Sequence, residues 1–102
     1  METYEKIETV KGIVEKYVNE NAENNIYNLS EFEKNHIINI GTSILCTKWN
    51  IGYAGGGFVQ AVVANDLSRA IGSADSTNIK ALKLYCQMMY NTACPNSLLV
   101  HV

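Results

Sequence analysis

The sequence is poor in the residues that mark several classes of protein. It has one proline, one tryptophan and two histidines, and its three cysteines form no C-x-x-C pair. An odd cysteine count without such a pair argues against a disulfide framework or a zinc knuckle. No run approaches the roughly 18 apolar residues of a membrane span, and the charged N-terminus lacks a signal peptide's apolar core. We expect a cytoplasmic protein in which Cys46, Cys86 and Cys94 remain reduced core thiols and bind no metal.

Charge is also scarce. Charged residues make up 18% of the chain and apolar residues 47%, and the net charge is -2. A protein that binds bulk nucleic acid normally has clustered Lys and Arg, so that class is disfavoured, whereas a small anionic ligand is compatible with this composition. A chain of 102 residues buries one core, and so few charges leave much of a small monomer's surface apolar. We expect a single domain over residues 1–102 that forms a homo-oligomer and does not enter a membrane.

Apolar residues recur every three or four positions, which predicts an all-α bundle of about four helices that assembles through apolar helix faces. The predicted helices are Thr3 to about Asn19, Ser30 to about Trp49, Phe58 to Ile71, and Thr77 to Thr92. Five Asn between Asn19 and Asn28 are expected to end the first helix, because Asn side chains compete for backbone hydrogen bonds. Ser30 with Glu33 forms a capping box, Asp75 or Ser76 caps the last helix, and Pro95 prevents its continuation.

Each predicted helix has an apolar side that is expected to face the core. These positions are Ile7, Val10, Val14, Tyr17 and Val18; Phe32, Ile37, Ile40, Ile44 and Leu45; Val59, Val62, Val63, Leu67 and Ala70; and Ile79, Leu82, Cys86 and Met89. Gly41 lies in the middle of the second helix, where Gly costs about 1 kcal/mol relative to Ala. We therefore expect it to allow close approach of another helix. The apolar tail from Leu98 to Val102 is expected to dock on the helices or on another subunit.

The segment Asn50 to Gly57 contains four glycines and precedes the third predicted helix. The candidate ligand-binding residues here are Gly55, Gly56, Gly57 and Phe58, because free N–H groups at a helix start attract anions. Tyr53 is included because an aromatic ring beside a glycine loop can stack on a nucleobase. The alternative is a tight turn between helices that needs positive φ.

Asp66 is the most informative polar residue. At 100° per residue it falls within the apolar side of the third predicted helix, where a carboxylate is costly to bury without a partner. Arg69 lies three residues further on and can reach it, and Asn65 is adjacent. Either Asp66 and Arg69 form a structural pair, or Asn65, Asp66 and Arg69 bind a ligand.

No catalytic or metal-binding pattern is present. His36 has no Cys or carboxylate at ligand spacing, and His101 lies in the tail. Nothing pairs a nucleophile with a base, so we expect neither an enzyme nor a cofactor.

From Tyr53 onward the chain contains G-G-F-x-x-A-V-x-x-N-D-L, then A-D-x-x-N-x-x-A-L and Y-N. This pattern resembles a set of small, generally uncharacterised proteins of tailed phages and prophages. The matching residues are Gly56, Gly57, Phe58, Ala61, Val62, Asn65, Asp66, Leu67, Ala74, Asp75, Asn78, Ala81, Leu82, Tyr90 and Asn91. Gly55 replaces the family's usual Pro, Thr92 replaces an acidic residue, and the aromatic C-terminal extension of many relatives is missing.

The resemblance implies a phage or prophage origin, and small phage proteins without catalytic residues often act by binding a host component in the host cytosol. Together with the candidate residues, it leads us to expect a host-defence antagonist that sequesters a nucleotide-derived signalling molecule in an oligomer. The alternative is a non-enzymatic inhibitor that binds a host protein. A DNA-binding regulator is less compatible with the acidic balance.

Overall fold

The computed structural model describes residues 2–25 and 29–99. Within these ranges the chain forms five α-helices, one 3₁₀ turn and no strand. The elements are α1 (Thr3–Asn25), α2 (Glu31–Lys48), α3 (Gly57–Val63), α4 (Leu67–Ser73), α5 (Ser76–Asn91) and the 3₁₀ turn Asn96–Leu98. The all-α class is confirmed, with five helices where the sequence predicts about four. None of the helices described is both long and apolar enough to cross a bilayer.

Helix α1 is longer than the sequence predicts. It runs through the Asn-rich segment to Asn25, so the predicted end near Asn19 is wrong. Asn21 Nδ2 donates a hydrogen bond to the carbonyl oxygen of Tyr17, 2.9 Å away, within the same helix. Each Asn costs less than about 1 kcal/mol relative to Ala. Packing of Val10, Val14 and Val18, all buried, outweighs that cost.

Helix α2 begins as predicted. The N–H of Glu33 donates to Ser30 Oγ (3.1 Å), and Glu33 Oε1 accepts from the N–H of Ser30 (3.3 Å), which completes the capping box. The helix contacts α1, α3 and α5 and forms the centre of the bundle. Ile37, Ile44 and Leu45 are buried as expected. Phe32 is 81% exposed, so its predicted place on the buried side of this helix is wrong.

The predicted third helix is two helices. After α3, Asn65 adopts φ 59, a left-handed conformation that Asn tolerates better than most residues. Asp66 then caps α4 by accepting a hydrogen bond from the N–H of Arg69 (3.2 Å). The break changes the helical register, so Leu67 is 63% exposed, whereas Ala70 remains buried. The single helix from Phe58 to Ile71 was therefore a wrong prediction.

Helix α5 buries a different face from the one predicted. Asp75 caps it as expected, since Asp75 Oδ1 accepts from the N–H of Asn78 at 2.7 Å. The buried positions of α5 are Asn78, Ala81, Leu84, Tyr85 and Met88. The predicted core stripe lies beside this face, with two exposed members and two half-buried ones. The exposed members are Ile79 and Cys86, and the half-buried ones are Leu82 and Met89.

Helices pack closely at Gly41, as predicted. A Cβ atom added at Gly41 would lie 2.8 Å from Val14 Cγ1 of α1 and 3.3 Å from Met88 Cε of α5. Both neighbours are buried, so three helices meet at this residue. The apolar tail also contributes to the core through Leu98, which is buried, whereas residues 100–102 and His101 among them lie outside the described ranges.

Two polar contacts join α2 to α5 at one end of the bundle. His36 Nε2 lies 3.0 Å from Asp75 Oδ2, and Lys80 Nζ donates to Glu33 Oε2 at 3.0 Å. At the other end, Lys48 Nζ donates to the carbonyl oxygen of Met89 (2.6 Å). These polar contacts therefore join α2 to α5 at both ends of the bundle, outside the buried core.

We expect Gly41→Ala to destabilise the protein by about 1 to 3 kcal/mol, because overpacking against the stiff side chain of Val14 exceeds the gain in helix propensity. Gly12 is a matched control, since it lies in the middle of α1 with nothing within 4 Å of its added Cβ. Gly12→Ala should stabilise by about 0.5 to 1 kcal/mol. Urea unfolding measures both changes. A stabilised Gly41→Ala variant would contradict the close approach.

We expect acid to weaken the α2–α5 contact through Asp75. The backbone hydrogen bond from Asn78, and then the contact with His36, lower the pKa of the Asp75 carboxyl group below its ordinary value. Its contribution to stability is therefore full above the unfolded-state pKa of about 3.9 and is lost as the pH falls through the lower folded-state value. In Asp75→Asn the cap remains, but stability should depend less steeply on pH below about pH 4. Equal pH dependence in urea unfolding of the two proteins would refute this.

Candidate functional site

The structure places the predicted ligand-binding residues at opposite ends of α3. Gly55, Gly56 and Gly57 lie at its start, whereas Asn65 and Asp66 follow its end. Seven helical residues span roughly 10 Å. The chain therefore presents two separate groups of candidate residues where the sequence suggested one.

The glycine loop is held against α2 through Gly55. The N–H of Gly55 donates to Thr47 Oγ1 (2.9 Å), and its carbonyl oxygen accepts from Gln60 Nε2 (2.6 Å). A Cβ atom at this position would lie 2.5 Å from Ser43 Oγ and 2.5 Å from Val59 Cγ1. Gly55 is thus required by packing, and its N–H is already occupied by a protein acceptor.

The other members of the loop are open. Neither Gly56 nor Gly57 has a positive φ, and nothing lies within 4 Å of a Cβ added at either. The interpretation as a turn that needs positive φ therefore applies to Gly52, at φ 70, and not to these two residues. Tyr53 is 100% exposed. Phe58 is buried, and its ring lies edge-on to that of Tyr85 with centroids 5.9 Å apart, so it does not offer a stacking surface.

The second group forms the turn between α3 and α4. Asn65, Asp66 and Arg69 are all exposed. The expectation that Asp66 lies buried in an apolar stripe is wrong, because the helix breaks at this point and Asp66 becomes an N-cap. Asp66 Oδ1 accepts from the backbone N–H of Arg69. Within the described residues, the Arg69 guanidinium has no hydrogen-bond or ion-pair partner.

A small cleft of about 30 Å³ separates this turn from α5. Its floor and walls are mostly small or apolar, and the amide and carboxylate groups of Asn65 and Asp66 stand at its edge. The lining residues are Ala61, Val62, Asn65, Asp66, Leu67, Ala70, Leu82 and Cys86. Ligand pockets usually measure about 300 to 1,000 Å³, so the cleft of one protomer is far too small to enclose a nucleotide.

A second, larger concavity of about 270 Å³ lies between the start of α1 and the segment after α2. It is lined by Trp49, Lys6, Thr3 and Asn50, together with Gly52, Leu98 and Leu99. An indole and an ammonium group there provide an alternative place for an anionic, aromatic ligand. The sequence pattern places Trp49 only near the end of the second predicted helix.

The three cysteines are free thiols in different environments. Cys46 is buried and Cys94 half-buried, whereas Cys86 is exposed at the cleft. The expectation that all three are core residues is therefore wrong for Cys86, because α5 buries the adjacent face. Burial raises the pKa of the Cys46 and Cys86 thiols, which lowers their thiolate fraction and their reactivity at neutral pH.

The pairing of His36 with Asp75 is a feature that sequence analysis missed. The two residues are 39 positions apart, so no local spacing indicates the pair. Asp75 is the one hydrogen-bond partner of His36 among the described residues, so the pair activates no neighbouring hydroxyl or thiol. No group of three or more potential metal ligands occurs in the described parts of the chain.

A buried polar pair explains Asn78, another residue of the phage-like pattern. Tyr85 Oη donates to Asn78 Oδ1 at 2.8 Å, and both side chains are buried. Burial, with a smaller contribution from the charge of Asp75, raises the pKa of Tyr85. Tyr85 therefore remains a hydrogen-bond donor at neutral pH, and this contact belongs to the core.

We expect Asp66→Ala to cost about 1 kcal/mol of stability, within the usual range of about 0.5 to 2 for loss of an N-cap. Asp66→Asn should retain stability, because Asn caps helices as well as Asp. Arg69→Ala combined with Asp66→Ala should be additive within about 0.5 kcal/mol, since the Arg69 guanidinium does not contact Asp66. Urea unfolding tests each value. A loss of about 3 to 5 kcal/mol that Asn does not restore would indicate a buried ionic network.

Comparison with known proteins adds no assignment, because no family model, curated protein sequence or solved structure matches the chain. The likeness to small phage proteins rests on the sequence residues alone.

Proposed function

We propose that this protein is a phage-encoded antagonist of a host defence system that acts without catalysis. It binds and sequesters a nucleotide-derived signalling molecule as a homo-oligomer in the host cytosol. The observation that carries this proposal is the cleft at the α3–α4 turn, where apolar walls meet Asn65 and Asp66. Arg69 follows on α4 next to the lining residue Ala70, and its guanidinium has no partner among the described residues.

The cleft and the Arg69 side chain, which follows it on α4, suit different parts of a nucleotide. The apolar surface of Ala61, Val62 and Leu82 packs against a base. The Arg69 guanidinium can hold a phosphate through two parallel hydrogen bonds, and it is not engaged within the described chain. Asp66 would repel phosphate, so its carboxylate faces donors on the base or ribose, and Asn65 supplies an amide beside it.

The size of the cleft supports binding in an oligomer. At about 30 Å³ the cleft of one protomer contacts only a small part of a nucleotide, whereas sequestration needs slow release and extensive burial of the ligand. A neighbouring subunit supplies further surface. The glycine loop and Tyr53 lie at the other end of α3. They therefore contact a second ligand or another subunit, and not the ligand bound at Asn65, Asp66 and Arg69.

The alternative function is inhibition of a host protein by direct binding. It is favoured by the large apolar side chains that the fold leaves exposed. These include Phe32, Tyr53, Leu67, Ile71, Ile79 and Tyr90. Helical faces of this kind commonly bind partner proteins. Retention of a nucleotide distinguishes the two functions.

The test is a thermal-shift screen of linear and cyclic nucleotides, followed by calorimetric titration of any compound that raises the melting temperature. Arg69→Ala should weaken binding by roughly 10- to 100-fold, as expected for loss of a charge-assisted hydrogen bond. The variant should melt as the wild type does, because the side chain is exposed. Lys6→Ala is the matched control, since it removes a cation at the other concavity.

Equal binding by Arg69→Ala and the wild type, with loss of binding in Lys6→Ala, would move the site to the Trp49 concavity. If no nucleotide in the screen raises the melting temperature, and the protein instead forms a complex with a host protein, the alternative function replaces sequestration.

A further inference from the structure

The concavity beside Trp49 is built from three separate segments of the chain. Thr3 and Lys6 come from the start of α1, Trp49 and the three residues after it from the end of α2, and Leu98 and Leu99 from the tail. Its volume is about 270 Å³, close to the lower end of the roughly 300 to 1,000 Å³ of small-molecule sites. The Trp49 concavity is therefore of a size that suits a ligand with one ring, and the proposed function does not use it.

The wall that carries Trp49 has a well-defined backbone conformation. Asn50 follows α2 in the left-handed region, at φ 59, and its N–H donates to the carbonyl oxygen of Thr47 (3.3 Å). The N–H of Ile51 donates to the carbonyl oxygen of Cys46 (2.8 Å). These two hydrogen bonds form a Schellman motif, which ends a helix with a defined chain direction. Because Ile51 is also buried, both hydrogen bonds and core packing hold the backbone next to Trp49.

Charge distinguishes the Trp49 concavity from its neighbours. Lys6 is the one charged residue among those that line it, and the Lys6 ammonium group has no hydrogen-bond or ion-pair partner in the part of the chain that the structure describes. Two larger concavities along α1 each have one lysine and one glutamate in their lining, so these linings have no net charge. The Trp49 concavity has a single positive charge and is therefore complementary to a ligand with a single negative charge.

The rest of the lining suits an aromatic ring. Trp49 is half-buried and contributes its indole, and Leu99 adds aliphatic contacts. Aromatic rings in contact gain affinity beyond that of the buried area alone. The Thr3 hydroxyl and the Asn50 amide also line the concavity, and neither has a hydrogen-bond partner among the described residues. They supply further donors beside Lys6.

A carboxylate matches this lining better than a phosphate does. A carboxylate has one negative charge, which Lys6 neutralises, whereas a phosphate group has a charge of roughly -1.5 to -2 at neutral pH and would need a second cation. We propose that the Trp49 concavity binds a small aromatic carboxylate, with its ring against the indole and its carboxylate at Lys6. This site is separate from the cleft at the α3–α4 turn, so the inference does not depend on the proposed nucleotide.

The chain has one tryptophan, so intrinsic fluorescence reports directly on this concavity. The experiment titrates the protein with phenylacetate and benzoate, with 2-phenylethanol as the uncharged probe and acetate as the probe without a ring. Both aromatic carboxylates should change the Trp49 fluorescence saturably, with a dissociation constant on the order of 0.1 mM, as expected for about ten non-hydrogen atoms. Phenylethanol should bind roughly 10- to 100-fold more weakly, because it cannot form the charge-assisted hydrogen bond to Lys6. Acetate should cause no saturable change.

Lys6→Met tests the charge, because Met retains an unbranched apolar side chain in place of the Lys6 stem. This variant should bind phenylacetate roughly 10- to 100-fold more weakly and phenylethanol as the wild type does. Lys11→Met is the matched control, since Lys11 is also a half-buried lysine of α1 but lines a different concavity. It should bind both probes with wild-type affinity. Trp49→Leu should weaken phenylacetate binding roughly tenfold, as measured by calorimetry because this variant has no tryptophan.

Circular dichroism verifies that each variant is folded. The proposal would be overturned if neither carboxylate caused a saturable change up to about 10 mM, or if folded Lys6→Met bound phenylacetate as the wild type does. AMP should not displace phenylacetate. Displacement by AMP would overturn the carboxylate assignment and place nucleotide binding at this concavity. A protein that binds phenylacetate but no nucleotide would support this inference while contradicting the proposed function.

Discussion

The contact of Val14 and Met88 with the backbone of α2 at Gly41 determines how closely three helices of this fold can approach. Because Gly41 has no Cβ, side chains from α1 and α5 meet over α2, and the central helix becomes buried along one side. This packing also determines which face of α5 is turned towards the core. With Met88 directed at Gly41, the buried residues one or more turns away are Leu84, Tyr85 and Ala81. The row containing Ile79 and Cys86 is then left on the surface, which is why the fold has an apolar face without an intramolecular partner.

The phage-like pattern is explained largely by the local needs of this fold. Asn65 provides the left-handed turn, Asp66 caps α4, and Asp75 caps α5. Asn78 accepts the hydrogen bond of buried Tyr85, and Phe58 packs on the same ring. A shared pattern of this kind implies a shared arrangement of α3, α4 and α5 more directly than a shared ligand. Gly56 is the N-cap of α3, a position that suits Gly. Gly57 has no structural explanation, and binding offers a reason for it.

The candidate site follows from the way the chain turns between short helices. A continuous helix would have placed Asp66 among apolar side chains, where an unpaired carboxylate is costly. The break instead exposes Asn65 and Asp66 at the rim of a cleft whose wall is α5. Hydrophobic periodicity cannot reveal this break, because Val59, Val62, Val63 and Ala70 keep helical spacing across it. The signal was present in the Asn-Asp pair, which combines a residue that tolerates positive φ with a strong N-cap.

The sequence by itself determined the features that depend on neighbours along the chain. The all-α class, the Ser30–Glu33 capping box, the Asp75 cap and the buried stripe of α1 each arise from interactions within about four residues, so they could be predicted. Tertiary structure decided the choices between alternatives of similar local free energy. It selected which of two apolar faces of α5 is buried, allowed α1 to continue through its Asn residues, and paired His36 with Asp75 across 39 positions. Those outcomes depend on which helices contact each other. The packing around Gly41 determines these contacts, and the periodicity of a single helix carries no information about them.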